Sequence, residues 1–260
     1  MAESRDYFLT EVIDEHILVI TIDRPEARNA FNGAMAAQLE GLIDRYEDDD
    51  ALWVAIIKGN GPTFSAGQDL KAARTGDMGA AKKRGGFGIM GMPPTKPIIA
   101  AIDGQALAGG MELTLSCDLI VATETSVFGL AEVKRGLLAV GGGCFRLPRR
   151  VPYHVAMEMI LTGETKTAAE MYTHGLVNKV VAPGKALEGA LELARIIARN
   201  SPVAVKAAKE IAYRSAAELW TDSDGWTKQR DPSRAVMKSE DLQEGLRAFA
   251  EKRDPVWKGR

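Results

Sequence analysis

Apolar and polar residues alternate at the start of the chain in the way that is typical of β-strands. The segments Phe8 to Val12 and Ile17 to Ile22 are predicted as two strands joined by a polar turn. Between about Gly33 and Tyr46, apolar residues recur at helical spacing. The continuous apolar run LWVAIIKG, at residues 52–59, is typical of a strand buried on both faces.

The same order of strands and helices recurs further along the chain. PIIAAIDG (97–104) is predicted as a buried strand, GGMELTLSCD (109–118) as helical, and LIVAT (119–123) and SVFGL (126–130) as strands. Such alternation predicts an α/β domain with strands in an inner layer and helices outside.

The final quarter of the chain has a different character. From about Leu187 the sequence is helix-forming almost throughout, with a break at Asn-Ser-Pro. We predict a core domain over residues 1–195 and a C-terminal helical region over 196–260. The Gly- and Met-rich stretch GGFGIMGMPP (85–94) is either a loop that covers a substrate or a connector.

Composition narrows the class of protein. Of 260 residues, 46% are hydrophobic and 26% charged, which is typical of a globular protein with a sizeable core. The net charge of −2 gives no electrostatic basis for binding nucleic acid or an anionic membrane surface. Without a signal-peptide or membrane-spanning pattern, we expect a cytoplasmic location. For Cys117 and Cys144, two free thiols are favoured over a disulfide.

Two segments share one order of features: a buried strand, a glycine-rich turn and the start of a helix. They are VAIIKGNGPTFSAGQDL (54–70) and IIAAIDGQALAGGMEL (98–113). A helix N-terminus leaves backbone N–H groups without partners, and glycine allows a ligand to approach them closely. If the two turns face each other, they supply two donors to one oxygen atom.

Several common sites do not fit these segments. Phe64 stands where a dinucleotide fingerprint needs its third glycine, and no phosphate loop of the G-x-x-x-x-G-K-[ST] type is present. Ser65 is not in a G-x-S-x-G context, because Thr63 takes the place of the first glycine. The three histidines are scattered, without metal-ligand spacing. Nucleotide, nucleophilic-serine and metal sites are therefore disfavoured.

Two glutamates remain as candidates for proton transfer. Glu112 lies in the first turn of a mostly apolar predicted helix, and Glu132 follows a strand end. Spacing alone leaves open that Glu112 only complements the helix dipole and that Glu132 is a solvated turn residue. A carboxylate among apolar neighbours has a raised pKa, which suits proton transfer near neutral pH.

Beyond these physical patterns, the sequence resembles the enoyl-CoA hydratase/isomerase family, the crotonases. The matching segments are GPTFSAGQDL, DGQALAGGMELTLSCDLIVATETSVFGLAEVKRGL and the ending EGLRAFAEKRDPVWKG. The resemblance covers nearly the whole chain. It implies an α/β spiral of repeated ββα units, with a C-terminal helical region that forms homotrimers or homohexamers. It also implies an acyl-CoA thioester substrate and no metal or further cofactor, coenzyme A being part of the substrate.

The resemblance also implies roles for individual residues. The backbone N–H groups of Gln68 and Gly109 hold the thioester oxygen. Glu112 deprotonates the water that adds to Cβ, and protonated Glu132 delivers a proton to Cα. Because both glutamates are present, hydration of a trans-2-enoyl-CoA is favoured. Isomerisation, hydration or dehydration of an unusual acyl group, and a catalytically silent acyl-CoA-binding paralogue remain alternatives.

Other positions match those that contact coenzyme A in the family, although each basic residue is equally explained as a surface charge. These positions are Arg28, Ala30, Ala66, Asp69, Leu70, Lys71, Phe249 and Lys252. The chain also departs from the family pattern. Glu26 replaces a common lysine, and Ala139 and Val140 replace a proline and a glycine in the loop LAVGGG (138–143). Added bulk in that loop would reshape the acyl pocket or hinder the water.

Overall fold

The computed structural model describes residues 5–260 of the chain. The strands are β1 (Phe8–Ile13), β2 (Ile17–Ile22), β3 (Val54–Gly59), β4 (Thr63–Ser65), β5 (Ala80–Ala81), β6 (Gly85–Gly86), β7 (Ile98–Ile102), β8 (Gln105–Leu107), β9 (Leu119–Thr123), β10 (Val127–Gly129), β11 (Lys166–Thr167) and β12 (Lys179–Val181). The α-helices are α1 (Gly33–Asp48), α2 (Leu70–Ala73), α3 (Gly109–Thr114), α4 (Gly143–Arg146), α5 (Tyr153–Thr162), α6 (Ala168–Thr173), α7 (Ala186–Ala198), α8 (Pro202–Glu218), α9 (Asp222–Lys228), α10 (Arg230–Lys238) and α11 (Glu240–Glu251). Short 3₁₀ helices cover Pro25–Ala27, Glu132–Arg135 and Leu147–Arg149.

The strand pairs β3 and β4, β7 and β8, and β9 and β10 each divide between two sheets, and β5 and β6 form a third, two-stranded sheet. One sheet has six strands in the order β1-β2-β3-β7-β9-β12, and a second has four in the order β11-β10-β8-β4. The chain therefore passes from β3 to β4 and then α2, and from β7 to β8 and then α3. These are repeated ββα units, so the predicted fold class is confirmed. Because β4 and β8 pair in parallel, the turns that follow them lie side by side.

Strand β3, inside the six-stranded sheet, is buried on both faces, as its apolar run predicts. Val54 and Ile56 of β3 belong to one core cluster, whereas Ala55 and Ile57 belong to the other. This period-two division follows from the alternation of side chains along a strand. The cluster of Val54 and Ile56 includes small buried residues from α7, which packs against β3, β7 and β9.

The predicted domain boundary, between residues 195 and 196, falls inside α7. Beyond it, α10 contacts both α8 and α11. The Asp241 carboxylate of α11 accepts hydrogen bonds from the Ser201 hydroxyl and from the backbone N–H groups of Lys258 and Gly259. This ties the end of the chain to the start of α8. The division into two regions stays a prediction.

Two smaller points from the sequence are settled by the structure. Cys117 and Cys144 are free thiols, as predicted. In the stretch 85–94, Phe87 and Met90 are buried, and the Phe87 ring stacks on Phe31 with 4.2 Å between ring centroids. This packing favours a connector over a substrate cover for that part of the stretch.

Among the helices of residues 5–260, none combines the length and the apolar character needed to cross a membrane.

Candidate active site

The two glycine-rich turns lie in direct contact. Gly67 has a φ of +94°, and a Cβ atom built on it would lie only 2.8 Å from the backbone nitrogen of Gly109. Real Cβ atoms do not approach backbone so closely, and the left-handed φ independently disfavours any other residue. Glycine at position 67 therefore allows the first turn to pack against the start of α3.

Each turn presents a backbone N–H group without an acceptor. Within residues 5–260, neither the Gln68 N–H nor the Gly109 N–H makes a hydrogen bond. Their surroundings are ordered by the pairing of the first turn with Phe31, whose N–H donates to Gly67 O and whose carbonyl accepts from Asp69 N–H, both at 2.8 Å. The Gln68 side chain donates to Asp77 O at 3.0 Å, so its amide group is engaged elsewhere.

The residue that starts α3 has a strained backbone. Ala108 has φ 50° and ψ −125°, and its N–H donates to Gly129 O at 2.8 Å. A non-glycine residue in such a region costs about 1–3 kcal/mol and is often found at functional sites. The sequence did not indicate this strain. The Ala108 conformation directly precedes Gly109, whose N–H lies on the side of the turn that faces Gly67.

Glu112 projects from the first turn of α3 into a buried environment. Its side chain is 5% exposed, and Oε1 accepts a hydrogen bond from the Gly143 N–H at 2.9 Å. Burial raises the pKa of Glu112, while the Gly143 N–H and the positive charge of Arg146 oppose that rise by favouring the ionised form. Every residue of α3 is buried, so Glu112 is not a solvated surface side chain.

Glu132 begins a 3₁₀ helix and has no such partner. It is 8% exposed, and its two carboxylate oxygens are the buried side-chain polar atoms without a hydrogen bond in residues 5–260. Burial, with a smaller contribution from the negative charge of Glu112, raises the pKa of Glu132 to about 7. The interpretation of Glu132 as a solvated turn residue is therefore wrong.

Glu132→Gln is expected to stabilise the fold at alkaline pH. The pKa of Glu132 rises from 4.5 to about 7 on folding, so the folded state binds more protons between these values and loses stability as pH rises through them. The loss is complete above about pH 7, with an upper limit of about 3 kcal/mol, and glutamine does not incur it.

This prediction is checked by thermal unfolding of the wild type and Glu132→Gln at about pH 8 and below about pH 4.5. The variant should unfold at a higher temperature only at the higher pH. Glu124→Gln, at an exposed glutamate between β9 and β10, is the control. If the difference in unfolding temperature between Glu132→Gln and the wild type is the same at both pH values, the raised pKa of Glu132 is contradicted.

The loop before α4 is shaped by close contacts around Glu112. A Cβ atom on Gly141 would lie 2.7 Å from Glu112 Oε2 and 2.5 Å from Met90 Sδ. Ala139 is buried, whereas the Val140 side chain is 79% exposed. Val140 therefore does not fill the buried space beside Glu112, and the expected obstruction by its bulk is not supported.

Several of the residues that match coenzyme A contacts lie together beside the first turn. The segments 28–31 and 66–69 run next to each other, with Ala66 N–H donating to Arg28 O at 2.9 Å. Arg24 donates both to Ala30 O and to the Asp69 carboxylate, each at 2.8 Å. No local sequence pattern indicates this role of Arg24, because its partner Asp69 lies 45 positions away.

The Asp69 carboxylate is occupied within the protein. Besides the ion pair with Arg24, it caps α2 by accepting from the N–H groups of Lys71 and Ala72. These contacts lower the pKa of Asp69 despite its partial burial. The side chains of Arg28, Leu70 and Lys71 remain exposed. Any contact of these three with coenzyme A stays a prediction.

The two C-terminal residues of the predicted coenzyme A site lie apart from this group. Phe249 is 87% exposed on α11, and Lys252 ends that helix in a left-handed conformation. No hydrogen bond or ion pair within the described part of the chain joins either residue to the first glycine turn. Their predicted contact with coenzyme A, from a neighbouring subunit, is therefore not tested by one chain.

Two cavities of about 450 Å³ lie away from the two carboxylates. Both adjoin α8, and one of them lies beside Arg149, Arg150 and Lys209. Neither is lined by Glu112 or Glu132. Within residues 5–260, no cluster of three His, Cys, Asp or Glu side chains could hold a metal ion. The candidate site consists of two buried glutamates and the two backbone N–H groups without acceptors.

Comparison with known proteins identifies the family. The family model "Enoyl-CoA hydratase/isomerase" matches residues 12–260, and the chain belongs to this family. A carnitinyl-CoA dehydratase from Salmonella heidelberg (strain SL476) is 42% identical over 255 residues, which cover 94% of this chain and 95% of the relative.

Two solved structures are similar along nearly their whole length. A probable enoyl-CoA hydratase/isomerase from Mycobacterium abscessus is 49% identical, with a TM-score of 0.93 and coverage of 98% of this chain and 100% of that one. An enoyl-CoA hydratase from Mycobacterium tuberculosis H37Rv is 46% identical, also with a TM-score of 0.93, and covers 98% and 99%. The chain is thus an enzyme of the crotonase fold, as its sequence motifs indicate.

Proposed function

We propose that this enzyme adds water reversibly across the Cα–Cβ double bond of a trans-2-enoyl-CoA, giving a 3-hydroxyacyl-CoA. The observation that carries the proposal is the contrast between two buried glutamates. Glu112 has an N–H donor and a nearby cation that favour its ionised form, whereas Glu132 has no partner and a pKa of about 7. Titratable groups whose environments differ in this way are suited to act as base and acid.

The two free N–H groups supply the other requirement of the reaction. When a nucleophile adds to Cβ, negative charge moves through Cα to the thioester oxygen as an enolate. Hydrogen bonds from Gln68 N–H and Gly109 N–H would stabilise that oxygen. One such donor is worth about 3–4 kcal/mol of the barrier, because it is already oriented before the charge forms.

Proton transfer then follows from the glutamate environments. In hydration, the Glu112 carboxylate accepts a proton from water as the water oxygen bonds to Cβ. The Glu132 carboxyl group donates its proton to Cα, and the enolate electrons form the new C–H bond. In dehydration Glu132 removes the Cα proton and Glu112 protonates the departing hydroxide. Each step uses a protein group, so the proposal requires no metal or second cofactor.

A second candidate is the dehydration of carnitinyl-CoA. It rests on the similarity to a carnitinyl-CoA dehydratase along nearly the full chain. The same elimination chemistry applies, and only the acyl group differs. We further propose that the chain works as a homotrimer or homohexamer, which the large exposed apolar residues of the chain support. Among them are Leu138, Val140, Phe145, Leu161 and Phe249.

The pH dependence of hydration is expected to be bell-shaped. At low pH the activity falls as Glu112 becomes protonated, and at high pH it falls as Glu132, with its pKa of about 7, loses its proton. The check is kcat/KM for hydration from about pH 5 to about pH 9. An activity that continues to rise well above neutral pH would contradict the role of Glu132 as the acid.

The proposed function is tested by incubating the enzyme with enoyl-CoAs of several chain lengths and with carnitinyl-CoA, followed by mass detection. Hydration adds the mass of one water, dehydration removes it, and isomerisation leaves the mass unchanged. Turnover of carnitinyl-CoA in preference to the enoyl-CoAs would select the second candidate. Binding of acyl-CoA without any turnover would instead indicate a silent paralogue.

A further inference from the structure

Arg146 is a buried cation next to the proposed site. It is the last residue of α4 and only 9% of it is exposed. Among the described residues, no carboxylate lies within ion-pair distance of its guanidinium group. A buried charge without a direct counter-ion is costly unless neighbouring polar groups compensate it. Its hydrogen bonds therefore indicate why it is there.

The Arg146 guanidinium joins three separate segments. Nη2 donates to Met90 O at 2.6 Å, and Nη1 donates to the Ser116 hydroxyl at 3.0 Å and to Gly141 O at 3.3 Å. The Ser116 hydroxyl in turn donates to Glu112 O at 2.9 Å. The rigid planar group thus joins the stretch 85–94, the end of α3 and the glycine loop, Gly141–Gly143.

The glycine loop rests on this side chain. Gly142 has a φ of +115°, and a Cβ atom built there would lie 2.8 Å from Arg146 Nη1. The next residue, Gly143, donates its N–H to the Glu112 carboxylate at 2.9 Å. A movement of the guanidinium group would therefore shift the Gly143 N–H donor to this carboxylate.

We propose that Arg146 is a positioning residue, which fixes the Gly141–Gly143 backbone so that the Gly143 N–H orients the Glu112 carboxylate toward the reacting water. This inference rests on the proposed function, in which Glu112 is the base. Arg146 does not touch the substrate in this role. It acts through the loop, and its positive charge additionally favours ionised Glu112.

The titratable groups around Glu112 and Arg146 define what a pH experiment would detect. Glu132 and the Cys144 thiol lie near Glu112, while Arg150 and the Cys117 thiol lie near Arg146. The pKa of Glu112 is raised by burial and lowered by Arg146. Removing the Arg146 charge should therefore raise the pKa of Glu112 further, so that its ionised form persists only at higher pH.

Three variants test the proposal. In Arg146→Met, kcat should fall about 10- to 100-fold with little change in KM, because a misplaced catalytic group slows the chemical step. The acid limb of kcat/KM should also move to higher pH, because the cation that favours ionised Glu112 is lost. In Arg146→Lys the charge remains but cannot bridge three segments, so the acid limb stays in place while kcat falls several-fold.

Arg149→Met is the matched control, since Arg149 is an exposed cation in the same segment. It should retain the wild-type kcat and acid limb. If Arg146→Met does not fold, Arg146→Lys decides: a reduced kcat with an unchanged KM supports the proposal, and a wild-type kcat overturns it. If Arg146→Met folds, a wild-type kcat and acid limb overturn it.

A measurement without turnover separates this inference from the proposed function. The infrared absorption of the protonated Glu112 carboxyl group, identified by its loss in Glu112→Gln, is followed against pH in the free enzyme. Its midpoint should move to higher pH in Arg146→Met and remain in place in Arg149→Met. An unchanged midpoint in Arg146→Met overturns the inference. A moved midpoint in an enzyme that converts no acyl-CoA would reject only the proposed function.

Discussion

Replacing either Glu112 or Glu132 with glutamine should lower kcat about 10²- to 10⁴-fold, the range typical of removing a general acid or base. Glutamine preserves the size of each side chain but can neither accept nor deliver the transferred proton. Both residues sit in a buried pair, with Glu112 held by the Gly143 N–H and Glu132 without a hydrogen bond. The N–H groups of Gln68 and Gly109, which are proposed to bind the thioester oxygen, are unchanged, so KM should change little.

The measurement is steady-state kinetics on the acyl-CoA that the wild type converts, together with acyl-CoA binding by each variant. Because the two glutamates act in one reaction, the double variant should be little slower than the slower single variant. Glu124→Gln, at an exposed glutamate, serves as the control and should behave as the wild type. A Glu132→Gln enzyme with kcat near that of the wild type would remove Glu132 from the mechanism.

Gly67→Ala is expected to lower kcat about 10²- to 10³-fold, the loss seen when one donor to a developing oxyanion is removed. The added Cβ would lie 2.8 Å from Gly109 N, so the two turns must separate. Both neighbouring N–H groups, of Gln68 and Gly109, would then no longer point at one oxygen atom. Acyl-CoA contacts outside the turns would persist.

A matched glycine separates this effect from backbone strain. Gly175 also has a left-handed φ, +79°, but a Cβ atom there has nothing within 4 Å. Alanine at either position incurs a backbone strain of about 1–2 kcal/mol. Gly67→Ala also introduces the contact with Gly109 N, so it should be the more destabilised of the two variants. Thermal unfolding and kcat are measured for both. A similar loss of kcat in the two variants would show that strain, and not the position of the donors, explains the result.

The regular elements of the core were predictable because long segments with clear periodicity specify them. β2 spans Ile17–Ile22 as predicted, and α1 extends the predicted helix by two residues, to Asp48. The second sheet was harder to predict from the sequence, because β4 and β8 contain three residues each and carry no periodic pattern. The two-sheet spiral was expected only from the family resemblance.

The site was predictable where chemistry lies in consecutive residues. The glycine turns and Glu112 could be located from short motifs, and the structure brings the turns into contact. The burial of Glu132, the strain at Ala108 and the role of Arg146 could not be located in this way. Arg146 contacts Met90 and Ser116, which lie 56 and 30 positions away, and only the tertiary fold brings them together.

The concern about Val140 shows the same limit. The sequence identifies a larger residue in the loop beside the site, but it does not fix the direction of the side chain. The structure has Val140 exposed and Ala139 buried, while glycine remains at the position in contact with Glu112. Loop direction depends on the packing of Gly141 against Met90, which no local pattern encodes.

The central claim is that Glu112 and Glu132 add water across an acyl-CoA double bond. It is tested most directly by mass spectrometry of the product formed from an enoyl-CoA in oxygen-18 water, and separately in deuterium oxide. We predict one oxygen-18 atom at Cβ and one deuterium at Cα, both absent with the Glu112→Gln/Glu132→Gln enzyme. A product of unchanged mass in oxygen-18 water, or the same label incorporation by the double variant, would contradict the claim.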